Sequence, residues 1–241
     1  MKTIGCLVPT VLIKQSGVLD YFDKAKPGEN DYGIPEILFG PNAALTALNM
    51  GYHSGVMRPL LRRDYKKDPT RYETLKNTDK KFISERSTAS AFYPDTQKIN
   101  INPKDKSAPV LAHELGHKEG MRKYPMITKA HRAGMLAGLI GSTGVPMLNN
   151  KEHSANSAIL GTLGFGTVLG SELDASTRGY KMLRNLGRSR LSALKAFIGV
   201  PTYLAAAATP ALEYKWKEHK GGFNNSEVAN TPKQLKDMLN L

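Results

Sequence analysis

A single cysteine, Cys6, in 241 residues excludes an intrachain disulfide and a thiolate metal cluster. Any bound metal must then rely on histidine and carboxylate ligands. The same scarcity fits a reducing compartment. Acidic residues are also few, 21 against 34 Lys and Arg, which leaves a net charge of +13. Such an excess would suit either nucleic acid or an acidic lipid surface. Aromatics are sparse, at 7% of the chain with one tryptophan. No basic–aromatic stripe or recognisable nucleic-acid module accompanies the charge, so no specific nucleic-acid partner is expected and a lipid surface is favoured. The local run Arg62-Arg63-Asp64-Tyr65-Lys66-Lys67 is expected to be a solvated face. No charge-free apolar run reaches the roughly 20 residues that cross a bilayer comfortably. The stretch Ile4 to Ile13 is broken by Pro9 and lacks a clear cleavage site, so no signal peptide is expected. The length favours one moderate domain with appendages over two independent ones.

Against these absences stands one dense motif, His113-Glu114-Leu115-Gly116-His117, the H-E-x-x-H pattern. Residues four apart share a helix face, so both imidazoles can reach one ion. Glu114, beside the first ligand, is placed to take a proton from a water activated by that ion. Three fixed positions arise by chance in roughly one chain in a hundred of this length, so the surroundings decide. Upstream, Asn102-Pro103 ends an extended run and Ser107-Ala108-Pro109 can start a helix, proline being tolerated in the first turn. Val110, Leu111, Ala112 and Leu115 give that helix a face to bury. Gly116 costs about 1 kcal/mol of helix propensity against alanine, a cost that makes sense if another backbone approaches there.

Catalytic zinc usually has three protein ligands and one open position. The extended pattern H-E-x-x-H-x-x-G-x-x-H is followed as far as Gly120, but Lys123 stands where its last histidine belongs. A glutamate on a later helix is the other source, and Glu172, after a long apolar stretch, supplies one. The competing reading of Glu172 is a solvated carboxylate favoured by a helix N-terminus. Ser176 lies one turn on, where it can hydrogen-bond a ligand, and Asp174 points elsewhere and is expected to be structural. Before the metal helix, Thr88 to Tyr93 and Lys98 to Asn102 alternate around Pro94-Asp95-Thr96-Gln97, the pattern of a short hairpin. An edge strand there could brace the helix or hold an extended peptide by strand addition.

Three segments, in order, resemble the bacterial membrane-associated neutral zinc metallopeptidases called YugP-like. They are Ala91 to Pro103, Leu111 to His117, and Glu172-Leu173-Asp174-Ala175-Ser176-Thr177-Arg178, similar to that family's E-F-x-A-S-x-R element. A weaker match is Pro201-Thr202-Tyr203-Leu204-Ala205-Ala206-Ala207. The resemblance covers about residues 87–212 and extends distantly to the HtpX and CAAX-protease group, whose element usually reads E-x-x-A-D where this chain has Ser176. It departs from the YugP-like pattern in the first ninety residues and in lacking that family's N-terminal membrane helix. It implies a gluzincin-like zinc endopeptidase: Zn2+ on His113, His117 and Glu172, Glu114 as general base, and Arg178 or Tyr203 as oxyanion donors. Its substrate would be a peptide or protein.

The expected fold is mainly α with a small β-hairpin, a gluzincin-like core and Gly/Ala-rich apolar helices. Residues 1–86 form an N-terminal region with a helix from Pro41 to about Tyr52 and a polar helix or linker from Asp64 to Lys81. Residues 87–212 form the metallopeptidase-like domain, and 213–241 a polar tail with a short helix after Thr231. Ala133–Leu148 and Ser157–Ser171 carry no charge and form an apolar helical hairpin within 133–171. Gly134/Gly138 and Gly166/Gly170 repeat the spacing that lets membrane helices pack closely. A third apolar stretch, Ala196–Leu212, contains Pro201 and Pro210. Membrane association is therefore expected, with the flanking basic residues placing the active site on the cytoplasmic side. His131, without ligand spacing, is expected at the interface. The alternatives are a soluble cytoplasmic or a virion-associated protein and, in place of an enzyme, a membrane-inserting or structural assembly protein, of viral origin, that keeps a metallopeptidase scaffold.

Overall fold

The structure, a computed structural model, describes residues 41–85 and 90–223. The expectations for Cys6, the Ile4–Ile13 stretch and the helix after Thr231 lie outside the described residues. The chain is mainly helical. Helix α1 (Pro41–Gly51) runs through a π-helical segment (Tyr52–Met57) into α2 (Arg58–Lys67), followed by α3 (Pro69–Thr78). Strands β1 (Ile83–Ser84), β2 (Ala91–Tyr93) and β3 (Lys98–Asn100) precede α4 (Ala108–Lys123), α5 (Pro125–Met147) and α6 (Lys151–Asn185). A short α7 (Arg190–Ala193) and a 3₁₀ turn (Leu194–Phe197) lead to α8 (Val200–His219).

Two compact units divide the described residues: 41–46, 137–163 and 208–223 form one, 47–136 and 164–207 the other. The second unit contains the motif. Its sheet has the order β1-β3-β2, with β2 antiparallel to β3 in the register Phe92 opposite Ile99. The expected hairpin is therefore present. Its turn is closed by Gln97, which adopts a left-handed φ of 54° and donates its side-chain amide to the Pro94 carbonyl at 2.8 Å. Strand β1, parallel to β3, was not legible in two residues of sequence. Ser107 caps α4, accepting from the Val110 N–H at 3.4 Å, with Pro109 in the first turn as expected. Ile99, Ile101 and Leu111 pack with Tyr72 and Leu75 of α3 and Leu183 of α6 to form the core.

The stretch Asp64 to Lys81, expected to be an exposed helix or linker, contributes to this core: Tyr72 is fully buried and Leu75 nearly so. Arg62 and Arg63 are exposed as a solvated face should be, but Asp64 beside them is buried. It accepts from both terminal nitrogens of Arg188, at 2.7 and 2.8 Å, and from Lys195 at 2.7 Å. Burial alone would raise the Asp64 carboxyl, but the two cations outweigh it and hold it below the ordinary carboxylate range.

What positions the site is the antiparallel contact of α4 with α6. A Cβ on Gly116 would overlap the Ala175 carbonyl oxygen and lie 3.1 Å from the Ala175 Cα. Reciprocally, a Cβ on Gly179 would meet the Ala112 carbonyl at 2.9 Å. The two backbones touch because each helix offers a hydrogen where the other presents its main chain. The approach anticipated at Gly116 is thus made by α6.

The apolar hairpin is built from α5 and α6, but the glycines used for packing differ from those expected. Gly134 does meet the Gly164 carbonyl in the second unit, and Gly141 meets the Gly161 backbone in the first. Gly166 and Gly170 face open space. The buried face of α6 passes through Ser154, Ala158, Gly161, Gly164 and Val168, and Gly166 and Gly170 fall opposite it. In the first unit, fully buried Lys217 of α8 donates to the carbonyls of Val145 (3.3 Å), Pro146 (3.1 Å) and Leu148 (2.8 Å), capping the C-terminus of α5. One turn earlier, Glu213 accepts from the Asn42 N–H at 3.3 Å, at the N-terminus of α1.

Gly116→Val should destabilise the protein by about 3 kcal/mol or more in urea unfolding, because neither backbone can retreat. Gly166→Ala should be neutral or stabilising by up to about 1 kcal/mol. Equal effects of the two would contradict the close contact. Asp64→Asn should cost about 3 kcal/mol at pH 7 by leaving Arg188 unpaired. Because the folded Asp64 pKa lies below its unfolded value, its contribution is complete above that unfolded value, near pH 4, and fades as pH falls through the folded one. The stability gap between wild type and Asp64→Asn should therefore narrow in acid, and a gap unchanged from pH 7 to pH 2.5 would contradict this.

Candidate metal centre

Across the α4–α6 contact, His113 and His117 stand one turn apart on α4 and face Glu172 and Ser176, one turn apart on α6. The Glu172 Oε2 lies 3.1 Å from His113 Nε2 and 3.2 Å from His117 Nε2. The two imidazole rings are perpendicular, with centroids 4.8 Å apart. Ligand atoms of the three residues all fall within 4.8 Å of one another, so the group could hold a metal ion. Glu172 is 3% exposed, which decides against the solvated helix-start reading.

The chemistry of the donor set supports that use. Two ligands about 2.0–2.1 Å from a tetrahedral ion stand roughly 3.3 Å apart, close to the observed nitrogen–oxygen separations. A buried carboxylate oxygen between two imidazoles requires positive charge beside it, which either a proton or a divalent cation supplies. The titration tendencies express the same requirement. Burial would raise Glu172, yet His117 and His113 outweigh it and lower its pKa. Burial would depress His117, yet Glu172 outweighs that and raises it. Ser176, fully buried, holds His113 by its Nδ1 at 3.0 Å, the part expected of it. With Nδ1–H donated to that hydroxyl, Nε2 turns its lone pair toward a cation.

Glu114 is buried beside the group, and burial raises its pKa despite the neighbouring imidazoles. Its carboxylate accepts from the Phe92 N–H. Strand β2 therefore lies against the motif helix along the edge that β3 does not pair. The positions expected of the other residues divide. Asp174 is structural, as expected, and accepts from Arg178 Nε at 2.8 Å. Arg178 also donates to Glu119 at 3.3 Å and lies over the Tyr124 ring at 5.9 Å. The structure thus engages this guanidinium at the C-terminal end of α4, two residues past Ser176 and around the helix from Glu172. Tyr203 is half-buried on α8, its ring beside Gly199.

His131, expected at a membrane interface, lies beside the centre. Its ring meets His117 at 6.4 Å between centroids and 83° between planes. Its Nδ1 is 2.5 Å from the hydroxyl of buried Ser171. Burial lowers its pKa. No spacing signal could have found it, because fourteen residues and a change of helix separate it from His117. Comparison with protein-family models, curated proteins and solved structures finds no match for this chain. The geometry of the centre carries the functional reading.

His113→Ala, His117→Ala and Glu172→Ala should each abolish high-affinity Zn2+ uptake in calorimetric titration. Ser176→Ala, which frees the His113 ring without removing a ligand, should weaken it about tenfold. Undiminished uptake by Glu172→Ala would remove that residue from the centre.

Proposed function

We propose that this protein is a zinc-dependent endopeptidase. The observation that carries the reading is the convergence of His113, His117 and Glu172 on one point, with Glu114 buried next to them and against the Phe92 backbone. A zinc ion held by the three supplies Lewis acidity, acidifying a water near neutral pH and polarising a carbonyl. Glu114 would accept a proton from a water held beside it and pass that proton to the leaving amine nitrogen. Its burial favours this role, since a carboxylate kept from bulk water accepts a proton more readily. The resemblance to YugP-like metallopeptidases supports the same assignment and leaves Tyr203 as its candidate oxyanion donor. Arg178 is better explained as a tie from α6 to the end of α4 through Glu119, steadied by Asp174 on its own helix.

Contact with lipid fits this reading. Arg190–His219 is long and apolar enough to cross a membrane, the one such helical stretch among the described residues, and most of it is unburied. Leu191, Leu204 and Leu212 are exposed along it. The excess of Lys and Arg would draw the protein to acidic headgroups on a cytoplasmic face. The same exposed apolar helix favours a second reading, a membrane-inserting or structural assembly protein in which the metal centre is only architectural.

Glu114→Gln should retain zinc yet lose chelator-sensitive cleavage of unfolded casein by at least about a thousandfold. Casein cleavage surviving in that variant would contradict the role of Glu114. Partition of the wild type into detergent without any zinc-dependent cleavage would favour the assembly protein.

A further inference from the structure

His131 enters the centre from a third helix and is not needed as a ligand. Its surroundings are nonetheless specific. The Ser171 hydroxyl donates to the Val168 carbonyl at 2.9 Å, which commits its only proton. The short contact from His131 Nδ1 to the same oxygen is then an N–H donated by the imidazole, and this fixes the plane of the ring. Fixed in that plane, the ring lies nearly perpendicular to His117, within the range where edge-to-face aromatic pairs attract. His113, the other imidazole, is itself perpendicular to His117 at 4.8 Å. The imidazole of His117 is thus flanked by two others, one of which faces Glu172 with it.

The supports of the two motif histidines also differ. His113 is tied through its own Nδ1 to Ser176. His117 has the His131 ring packed against it, and that ring is tied to Ser171, the immediate neighbour of Glu172 on α6. A rotation of His117 out of the binding geometry would push against a ring that α6 holds from behind.

Resting on the metal-centre reading above, we propose that His131 is a positioning residue of this centre: its Ser171-anchored ring packs against His117 and fixes that ligand's orientation toward the ion. Helix α5 thereby becomes part of the metal site without supplying a ligand. A phenyl ring keeps the packing against His117 but not the tie to Ser171, so it should substitute in part, whereas a methyl group should not.

The test titrates Co2+ into apoprotein against a competing chelator, with the visible d–d spectrum recorded for wild type, His131→Phe, His131→Ala and Ser171→Ala. The expected result is about tenfold weaker Co2+ binding by His131→Ala with a changed d–d spectrum. His131→Phe, which keeps a ring but loses its tie to Ser171, should weaken binding about threefold and recover most of the wild-type spectrum. Ser171→Ala, which releases the His131 ring but keeps it, should match His131→Phe. Wild-type affinity and spectrum in His131→Ala would overturn the proposal while leaving the metal centre intact. So would His131→Phe and Ser171→Ala variants both as weak as His131→Ala, which would show that the packed ring contributes nothing to the orientation of His117. Failure of the wild type itself to bind Co2+ would overturn both the proposal and the reading beneath it.

Discussion

The backbone contact between α4 and α6 at Gly116 and Gly179 is the constraint on which the centre depends. Two histidines at helical spacing can face one ion from a single helix, but the third ligand has to come from elsewhere. A carboxylate on a second helix reaches both imidazoles only if the helices approach more closely than ordinary side chains permit. Hydrogen at positions 116 and 179 permits it, and Ala112 and Ala175 are the small partners each glycine meets. The resulting separations of 3.1 and 3.2 Å from one Glu172 oxygen to the two imidazoles follow from that approach. The helix propensity lost at the two glycines is offset by an arrangement that no larger residue could give.

Around this contact, the hydrogen-bonding capacity of neighbouring elements is directed at the site. Ser176 orients His113, Phe92 places an N–H on Glu114, and Ser171 holds His131. Elsewhere in the second unit, Asp64 ties α2 to the segment after α6 through Arg188 and Lys195. In the first unit, Glu213 and Lys217 on α8 serve as terminal partners for α1 and α5. In each case a charge is buried where a helix end or an opposite charge receives it. A basic, cysteine-poor chain thus stabilises its helix junctions without disulfides.

The group that could hold a metal was legible because its parts have local signatures. The H-E-x-x-H spacing places two histidines and a glutamate on one helix, Ser107-Ala108-Pro109 marks where that helix begins, and Glu172 and Ser176 sit one turn apart. The hairpin was legible from alternation around Pro94 to Gln97. His131 was not, because its relation to His117 arises only when α5 folds back beside α6. The buried role of Asp64 and Tyr72 was hidden for a related reason: a helix rich in Lys and Arg looks solvated, and the ion pair that buries Asp64 involves a partner 124 residues away. The glycines show the limit of spacing alone. Gly166 and Gly170 have the four-residue repeat of a packing face, but the helix phase set by Gly161, Gly164 and Val168 turns them outward.

The most direct test of the central claim is X-ray absorption at the zinc edge on zinc-loaded wild-type protein and on the Glu172→Ala variant. The account predicts a low-coordinate site with two imidazole nitrogens near 2.0–2.1 Å and oxygen ligands in the wild type. The variant should lose the ordered site. A spectrum showing fewer than two imidazoles, or one unchanged when Glu172 is removed, would contradict it.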